Sequence, residues 1–250
     1  MSERHAITRV RHALKMRRLD VVHVRRLTPH MVRVTLAGTD LEGFVSASPD
    51  DHVKLFFPVS DGSINPPTLG PDGPVYPEGV EASPARDYTP RRYDASRNEL
   101  DIDFVLHGEG PASTWAENVE IGDSLCVGGP RGSMVVPDDF DHYVLVGDAT
   151  ALPAIGRWLE EMAESTPVTV LAEIVSDEER QALKRDVRWF VAGESPSLDE
   201  ALAALPIPAG DTFWWVATES KRARALRSLL VEERNIDKDW VKATGYWQAD

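Results

Sequence analysis

The chain has 250 residues, of which 42% are hydrophobic and 27% are charged, and its formal net charge is −14. This composition is typical of a water-soluble globular protein, and the length allows one large domain or two smaller ones. A strongly negative charge repels a polyanion, and the basic residues form no aromatic-interleaved stretch, so nucleic acid is not expected as a partner.

The single cysteine, Cys126, excludes an intrachain disulfide and any iron–sulfur cluster or zinc site built on several thiolates. Its apolar neighbours Leu125 and Val127 predict a buried thiol. The seven histidines are scattered without metal-ligand spacing, so no structural metal is expected. Because no stretch resembles a signal peptide or reaches the length of a membrane span, we expect a cytoplasmic protein without a membrane span.

Alternating hydrophobic residues predict strands in the first half of the chain. A period of two residues is found at 32–36 and at 100–104, and a third candidate strand at 53–57 is stopped by Pro58. Between Ser60 and Ala85, frequent prolines and glycines predict a long surface loop. Such a loop either covers a site or is a simple insertion.

The second half alternates short apolar runs with helical patterns. The predicted strands cover residues 143–146, 168–175, 189–191, 213–217 and 241–247. The predicted helices cover residues 151–164, 198–205 and 221–233, and residues 176–184 are predicted to form a polar turn and helix. In the last helix, Ala225, Leu226, Leu229 and Leu230 are expected to face inward.

This change of pattern predicts two domains, residues 1–139 and residues 140–250. Strands that alternate with helices favour a parallel sheet covered on both faces, whereas the strand-rich first half favours an antiparallel barrel.

Two motifs of the first domain contain residue types that suit an anionic, aromatic ligand. The string RDYTPRRYD runs from Arg86 to Asp94 and is also compatible with a strand whose tyrosine and arginine pack on the surface. The string HGEGPASTWA runs from His107 to Ala116, and a helix is expected to begin near Pro111 or Ala112. Free backbone N–H groups at that helix start could receive a phosphate, although an ordinary glycine turn explains the same residues.

Two further motifs lie in the second domain. GDATALPAI, from Gly147 to Ile155, follows a predicted buried strand and opens a helix, which is the dinucleotide-binding location of an α/β unit, although G-x-G-x-x-G is absent. TGYWQAD ends the chain, and the flat faces of Tyr246 and Trp247 suit a flat ring system. The alternative is that both aromatic residues pack against the edge of the sheet.

In this order, the four motifs resemble the siderophore-interacting family of ferric-siderophore reductases, which are ferredoxin-reductase-like flavoproteins. The resemblance runs from about Val21 to Trp247 and implies an antiparallel FAD-binding β-barrel followed by a parallel-sheet, NAD(P)-binding-like domain. The chain departs from the family pattern at Ala149, where glutamate is common, and at Gln248, where arginine is common. These departures weaken one polar contact and one contact to an anionic substrate.

The resemblance implies that FAD is the cofactor and assigns site residues to it. Arg86 is expected to clamp the pyrophosphate and Tyr88 to cover the ring or the ribityl chain. The hydroxyl of Thr89, the one catalytic residue predicted, is expected to reach flavin N5. The other cofactor-binding residues implied are Pro90, His107, Gly110, Pro111, Ala112, Ser113, Asp148, Thr150, Ala151, Tyr246 and Trp247.

The implied reaction is the reduction of a ferric siderophore by FAD that is charged by NADH, NADPH or a redox partner protein. Because many ferric siderophores are anionic, Lys54 and Arg131 are predicted to bind the substrate, although each is also explained as a solvated surface charge. Carboxylates at 177–179 favour NADH over NADPH, because they repel a 2′-phosphate. They are also explained as stabilisers of a helix dipole.

Two other functions use the same motifs. One is a flavin-dependent NAD(P)H reductase with another electron acceptor, and the other is a non-enzymatic protein that binds a ferric siderophore. The sequence does not identify the siderophore.

Overall fold

The structure is a computed structural model that describes residues 4–70, 73–76, 78–108 and 110–249. The contacts divide the chain into two compact units. We call residues 8–135 the strand-rich unit, and residues 4–7 together with 136–249 the α/β unit. The division lies at 135/136, compared with the predicted 139/140, and the residues before Thr8 group with the second unit.

The described residues of the strand-rich unit form strands, one α-helix and a 3₁₀ turn, Thr39–Leu41. In chain order the strands are β1 (Thr8–Arg11), β2 (Met16–Thr28), β3 (Met31–Ala37), β4 (Val53–Phe56), β5 (Thr68–Gly70), β6 (Gly73–Val75), β7 (Ala85–Tyr88), β8 (Arg92–Asp94), β9 (Glu99–Val105), β10 (Ser124–Gly128) and β11 (Gly132–Val135). The helix α1 (Pro111–Asn118) follows β9. The strands predicted at 32–36, 53–57 and 100–104 are confirmed.

Seven of these strands form one antiparallel sheet in the order β7-β4-β10-β2-β3-β9-β8. Strands from both halves of the sheet contribute to a single hydrophobic cluster, for example Val53 on β4 and Ile102 on β9. The sheet therefore curves around one core, as the predicted barrel requires. Cys126 lies on β10 and is buried, which confirms the predicted buried thiol.

The proline-rich stretch from Ser60 to Ala85 was predicted to be a loop along its whole length, and the structure differs from this prediction. It contains a hairpin in which β5 and β6 pair with each other, Thr68 opposite Val75. This hairpin pairs with no strand of the seven-stranded sheet. Residues 71, 72 and 77 of the stretch lie outside the described residues.

The α/β unit alternates strands and helices as predicted. Its elements are β12 (His142–Gly147), α2 (Leu152–Glu161), β13 (Val168–Ile174), β14 (Arg188–Val191), α3 (Leu198–Ala204), β15 (Thr212–Glu219), α4 (Ser220–Ser228) and β16 (Val241–Trp247). The strands form a parallel sheet in the order β14-β13-β12-β15-β16.

Both faces of this parallel sheet are covered, which explains its continuous apolar strands. Trp214 is fully buried in the cluster that contains residues of α3 and α4. Phe213 packs instead against Trp158 of α2, with ring centroids 6.2 Å apart. Neighbouring residues of β15 therefore point to opposite layers of helices, as the two-residue period of a strand demands.

Four details of the predicted helices are wrong. No helix spans 176–184, where the structure has a 3₁₀ turn, Asp177–Glu179, followed by irregular chain. The physical reason is that Leu183 is the only large apolar residue there, so a helix would have no apolar stripe to bury. In α4 the buried residues are Ala223 and Leu226, and Ala225 is exposed because it lies about 200° around the helix from Ala223.

The other two details concern helix length. α4 ends at Ser228 and continues as a π-helical turn, Leu229–Glu233, so the predicted helix 221–233 is not uniformly α-helical. The helix predicted at 151–164 is α2, which is shorter. Within the described residues, no helix has both the length and the apolar character needed to span a bilayer.

His5 attaches the N-terminal residues to the α/β unit. Its ring stacks on Phe140 with centroids 4.0 Å apart, and its two nitrogens lie 2.8 Å from Asp139 Oδ1 and 2.9 Å from Asp211 Oδ2. Desolvation lowers the pKa of His5, but the hydrogen bonds to Asp211 and Asp139 outweigh it, so the pKa is raised above its ordinary value. The protonated ring therefore donates to both carboxylates.

Candidate functional site

The motif from Arg86 to Asp94 begins on β7, an edge strand of the large sheet. β7 pairs only with β4 in that sheet, with Leu55 opposite Arg86 and Val53 opposite Tyr88. Since Leu55 and Val53 belong to the core, Arg86 and Tyr88 project on the core-facing side of the sheet at its edge.

Tyr88 is half-buried in an aromatic group that includes Phe104. The ring centroids of Tyr88 and Phe104 are 4.5 Å apart, and Trp115 of α1 packs on the other side of Phe104 at 5.5 Å. Burial raises the pKa of the Tyr88 phenol, so this group stays neutral at physiological pH. The packing fixes the ring without an ion pair.

Arg86 is exposed, and no acidic residue among those described neutralises its charge. Its Nη1 donates a hydrogen bond of 2.8 Å to the carbonyl of Ala85. In the described part of the chain, no carboxylate lies within ion-pair distance of the Arg86 guanidinium. A cation that is held at a sheet edge and bound only to a neutral carbonyl is available to an anionic ligand.

The middle of the motif is buried. Thr89, Pro90 and Arg91 are buried, and Arg91 Nε lies 3.9 Å from Asp103 Oδ2 on β9. Asp103 also receives two hydrogen bonds from Arg33 on β3, of 2.6 and 2.8 Å. Two arginines therefore share one buried carboxylate behind the motif, which is an arrangement that the sequence motifs did not reveal.

The helix start predicted at Pro111 or Ala112 is confirmed, because α1 begins at Pro111. The preceding Gly108 and Gly110 have φ angles of 64° and 154°, which are unfavourable for any residue with a Cβ atom. No side chain of the described residues caps the helix, and its first turn contains no acidic residue. The N–H groups of this turn are therefore free of an intrahelical or capping acceptor.

Ser113 and His107 close the loop that leads into α1. The buried Ser113 accepts a hydrogen bond of 3.2 Å at Oγ from the backbone N–H of His107. The ring of His107 is exposed. Ala112 is buried in the core, so the backbone of the first turn is rigidly placed.

The two predicted substrate-binding cations have different surroundings. Lys54 Nζ lies 2.6 Å from Asp87 Oδ1, and both side chains are about half exposed, so its charge is largely compensated. Arg131 is exposed in the turn between β10 and β11, and its guanidinium has no ion-pair partner among the described residues. Arg91, a further basic residue of the motif, is buried beside Asp103 and is not a surface cation.

In the α/β unit, Asp148 follows the carboxyl end of β12. Its Oδ1 accepts hydrogen bonds from the N–H and the hydroxyl of Thr150, at 2.9 and 2.5 Å. Its Oδ2 accepts from the Thr218 hydroxyl and from the indole N–H of Trp247, both at 2.8 Å. Ala151 is buried in the same turn.

Gly147 and Gly245 allow close approaches of the backbone near Asp148. A Cβ atom at Gly147 would lie 2.4 Å from the Cβ of Ala151, and one at Gly245 would lie 2.4 Å from Ser220 Oγ. Ser220 Oγ also donates to the carbonyl of Trp247 at 2.8 Å. Both glycines are therefore required by space rather than by a special φ angle.

The two C-terminal aromatic residues lie at the end of β16, the edge strand of the parallel sheet. Tyr246 is half-buried and packs edge-on against Trp215, with centroids 6.1 Å apart. Trp247 is 45% exposed, so one part of its ring remains open while its N–H is bound to Asp148. The C-terminal motif indicates both residues but not the Asp148 partner, which becomes a neighbour only in the folded chain.

The strand-rich unit fits a flavin dinucleotide in three respects. It has an uncompensated cation at Arg86, an uncapped helix start after Gly110, and a fixed neutral aromatic ring at Tyr88. A pyrophosphate requires the first two, and a flat ring system uses the third. No group of three or more metal-binding side chains is arranged around a metal position in the described residues.

Comparisons with known proteins agree with this fit. A family model described as "Siderophore-interacting FAD-binding domain" matches residues 20–134, and one described as "Siderophore-interacting protein" matches residues 140–250. The chain is 40% identical over 248 residues to the NADPH-dependent ferric-chelate reductase of Escherichia coli, with 96% of each protein covered. It is 34% identical over 243 residues to the ferric vibriobactin reductase ViuB of Vibrio cholerae, covering 93% of this chain and 89% of that protein.

Solved structures give the same result for the fold. The crystal structure of a siderophore utilization protein from T. fusca matches with a TM-score of 0.88 and 38% identity, and covers 97% of this chain and 96% of that one. A ferredoxin reductase in carbazole 1,9a-dioxygenase matches with a TM-score of 0.68 at 18% identity, covering 94% and 70%. The second match bears on the fold alone and confirms the predicted ferredoxin-reductase-like architecture.

Proposed function

The chain belongs to the family of siderophore-interacting, FAD-binding proteins, and on this premise we propose that it is a ferric-siderophore reductase. The observation that carries the proposal is the set of flavin-binding features around Arg86 in a chain that aligns almost end to end with a named ferric-chelate reductase. The name of the Vibrio cholerae relative, a ferric vibriobactin reductase, supports a siderophore as the chelate.

Reduction would release the iron because of the ligand chemistry. Siderophores hold Fe(III) through hard oxygen donors, and these bind the larger, less charged Fe(II) much more weakly. Bound FAD would supply the conversion of a two-electron donor into single-electron transfers, for which no side chain of the protein is suited. We place the reaction in the cytoplasm, where released Fe(II) is used.

In this proposal the residues of the strand-rich unit hold the cofactor. Arg86 neutralises the pyrophosphate, the first turn of α1 donates backbone N–H groups to it, and Tyr88 contacts the ring or ribityl chain. The Thr89 hydroxyl is assigned to flavin N5. Its burial and the rigid backbone of the motif support a fixed position.

The substrate is assigned to the face that carries Arg131. Among the described residues this guanidinium lacks an acidic partner, whereas the charge of Lys54 is shared with Asp87, so Arg131 attracts an anionic ferric chelate more strongly. Lys54 is assigned a secondary role, in which its ammonium group leaves Asp87 and binds the chelate.

Replacing Arg131 should weaken the binding of an anionic chelate and have little effect on the turnover rate. We expect Arg131→Ala to raise KM for the chelate about fivefold, because one unpaired charge contributes about 1 kcal/mol near a surface, and to change kcat little. The increase should shrink at 0.5 M salt. Arg97→Ala removes an exposed arginine that is paired with Glu99 and is the matched control. An equal rise of KM in both variants would contradict the assignment.

The electron donor is proposed to be a pyridine nucleotide, without the expected preference for NADH. That expectation depended on free carboxylates at 177–179, but Asp177 pairs with Arg180 at 2.6 Å and Glu179 is buried. Arg180 would also attract a 2′-phosphate. The Escherichia coli relative is named NADPH-dependent, which supports NADPH as the donor to test first.

The helix starts in the α/β unit support weak binding of the nucleotide phosphates. The turn before α2 is capped by the carboxylate of Asp148, and α4 is capped by Glu219, which accepts from the N–H groups of Lys221 and Arg222. A pyrophosphate would meet a carboxylate at both places, so we expect a high KM for NADH and NADPH alike.

The function is tested by anaerobic absorbance spectroscopy of the FAD-loaded protein. We expect NADPH to bleach the flavin band, and a ferric siderophore then to restore it while a ferrous-specific dye develops colour. Two Fe(II) ions should form per NADPH oxidised, because a hydride carries two electrons and each Fe(III) accepts one.

The other outcomes separate the alternative functions. Bleaching without Fe(II) formation would indicate a flavin reductase with another acceptor. A flavin that is bleached by neither nucleotide but by a reduced redox protein would identify a protein donor. A protein that takes up no flavin and binds the ferric siderophore without turnover would refute the reductase and indicate a binding protein.

A further inference from the structure

The carboxylate of Asp148 accepts four hydrogen bonds from within the α/β unit. Three of them come from two threonines: Thr150 supplies its N–H and hydroxyl, and Thr218 supplies its hydroxyl. Thr218 is fully buried on β15. A carboxylate offers about four acceptor sites, so the fourth bond, from the indole of Trp247, completes its capacity.

This saturation argues against a direct contact between Asp148 and a ligand. A ligand donor would have to displace one of the four internal donors. The sequence resemblance assigned both Asp148 and Trp247 to the cofactor. In the structure, the Asp148 carboxylate is bound to the Trp247 side chain.

Trp247 is held by one hydrogen bond to its backbone and by another to its side chain. Its carbonyl accepts from Ser220 Oγ, and the neighbouring Gly245 lies close against Ser220, so the backbone is fixed without Asp148. The side chain is 45% exposed and has one anchored polar atom, the indole nitrogen. An exposed tryptophan would otherwise sample several rotamers, so the bond to Asp148 selects one of them.

From these contacts we propose that Asp148 is a positioning residue that fixes the indole of Trp247 and acts on the flavin only through that ring. This inference rests on the proposed function and on the family resemblance, which assigns Trp247 to the flavin as an aromatic contact. It gives Asp148 a role different from cofactor contact and gives Trp247 a defined orientation before the cofactor binds.

The geometry also explains why the residue must be an aspartate. Two donors that cannot reverse their polarity, the Thr150 N–H and the Trp247 N–H, approach different oxygens of the carboxylate. In Asp148→Asn one of them faces an amide NH₂ group, whichever way the amide is turned. The internal Thr150 bond belongs to the rigid turn, so the exposed indole is the donor that is released.

Nuclear magnetic resonance of the indole N–H groups tests the anchoring in the apoprotein. The seven tryptophans give seven indole signals, and Trp247→Phe identifies the one from Trp247. We expect the Trp247 indole hydrogen to exchange with solvent more slowly than that of an exposed tryptophan without a hydrogen-bond acceptor. Asp148→Asn should accelerate this exchange about tenfold. Asp199→Asn alters a carboxylate that is bound to Arg222 in the same unit and should leave the signal unchanged.

Adding FAD tests the link to the flavin. We expect the Trp247 signal to shift when FAD binds, and the shift to be smaller in Asp148→Asn. In the loaded enzyme, Asp148→Asn and Trp247→Phe should each slow flavin reduction about threefold to tenfold, and the double variant should be no slower than the slower single variant. Because both variants remove the same bond, their effects should not add.

Three outcomes would overturn the proposal: an unchanged exchange rate in Asp148→Asn, FAD binding without a shift of the Trp247 signal, or additive effects in the double variant. Each is distinguishable from failure of the proposed function. If the protein binds FAD and reduces ferric chelates but the Trp247 signal does not move, only the positioning role is wrong. If the protein does not bind FAD, the function itself is wrong.

Discussion

Arg86→Ala is expected to weaken FAD binding about 10- to 100-fold. A hydrogen bond to a charged group contributes about 1.5–3 kcal/mol, and no carboxylate in the described part of the chain pairs with this guanidinium. Loss of flavin should therefore be visible as colourless protein after dilution, and it is measured by titrating the apoprotein with FAD and following flavin fluorescence. The FAD affinity of Arg86→Lys should fall between that of the unchanged protein and that of Arg86→Ala, because lysine keeps the charge but not the paired donors.

The matched control for this prediction lies six residues further along the same motif. Arg92 is also exposed, but its guanidinium pairs with Asp94 at 2.8 Å and approaches Asp101 at 3.8 Å. Arg92→Ala removes the same charge, and we expect FAD affinity to change less than twofold. If both alanine variants lose affinity equally, the effect is general electrostatics and Arg86 is not the pyrophosphate clamp.

Local patterns in the sequence predicted most of the fold. The strands β3 and β9 alternate apolar and polar residues because each has one face in the core, and this is visible within seven residues. The start of α1 was predictable for a similar reason, since Gly110 and Pro111 impose it locally. The helix predicted at 176–184 is wrong because the segment is polar. Without an apolar stripe, the local sequence does not distinguish a helix from irregular chain.

The site was predictable only where one short motif contains all its residues. Arg86, Tyr88 and Thr89 stand together in the sequence, whereas the Trp247 partner of Asp148 is 99 residues away and Arg33 is 70 residues from Asp103. Such pairs depend on which strands become neighbours, and a single sequence does not contain that information in any local period. The attachment of His5 to Asp139 and Asp211 was missed for the same reason, and this attachment places residues 4–7 in the second unit.

The buried carboxylate of Asp103 leads to the largest expected effect on stability. Asp103 is 4% exposed, receives two hydrogen bonds from Arg33, and lies near Arg91 of the flavin motif. Asp103→Asn keeps the shape but removes the carboxylate charge that faces Arg33 and Arg91 in a mostly buried position. Removing one partner of such a buried pair costs about 3–5 kcal/mol, because the remaining charge stays desolvated.

Unfolding of the strand-rich unit should reveal this loss separately from the α/β unit. Trp115 is the only tryptophan among residues 8–135, so a fluorine label on tryptophan gives one signal for that unit and six for the other. We expect the Trp115 signal in Asp103→Asn to melt about 10 °C lower, a shift that corresponds to about 3 kcal/mol for a unit of this size.

The control for Asp103 is a carboxylate in an exposed pair on the same sheet. Asp87 and Lys54 are each about half exposed, so Asp87→Asn should cost less than about 1 kcal/mol. Since Arg91 connects Asp103 to the flavin motif, Asp103→Asn should also weaken FAD binding at temperatures below its own transition, whereas a purely global loss of stability would not. Equal melting of the two variants would mean that the Arg33–Asp103 pair contributes no more than a surface ion pair, and the anchoring of the motif would then have to come from its apolar contacts alone.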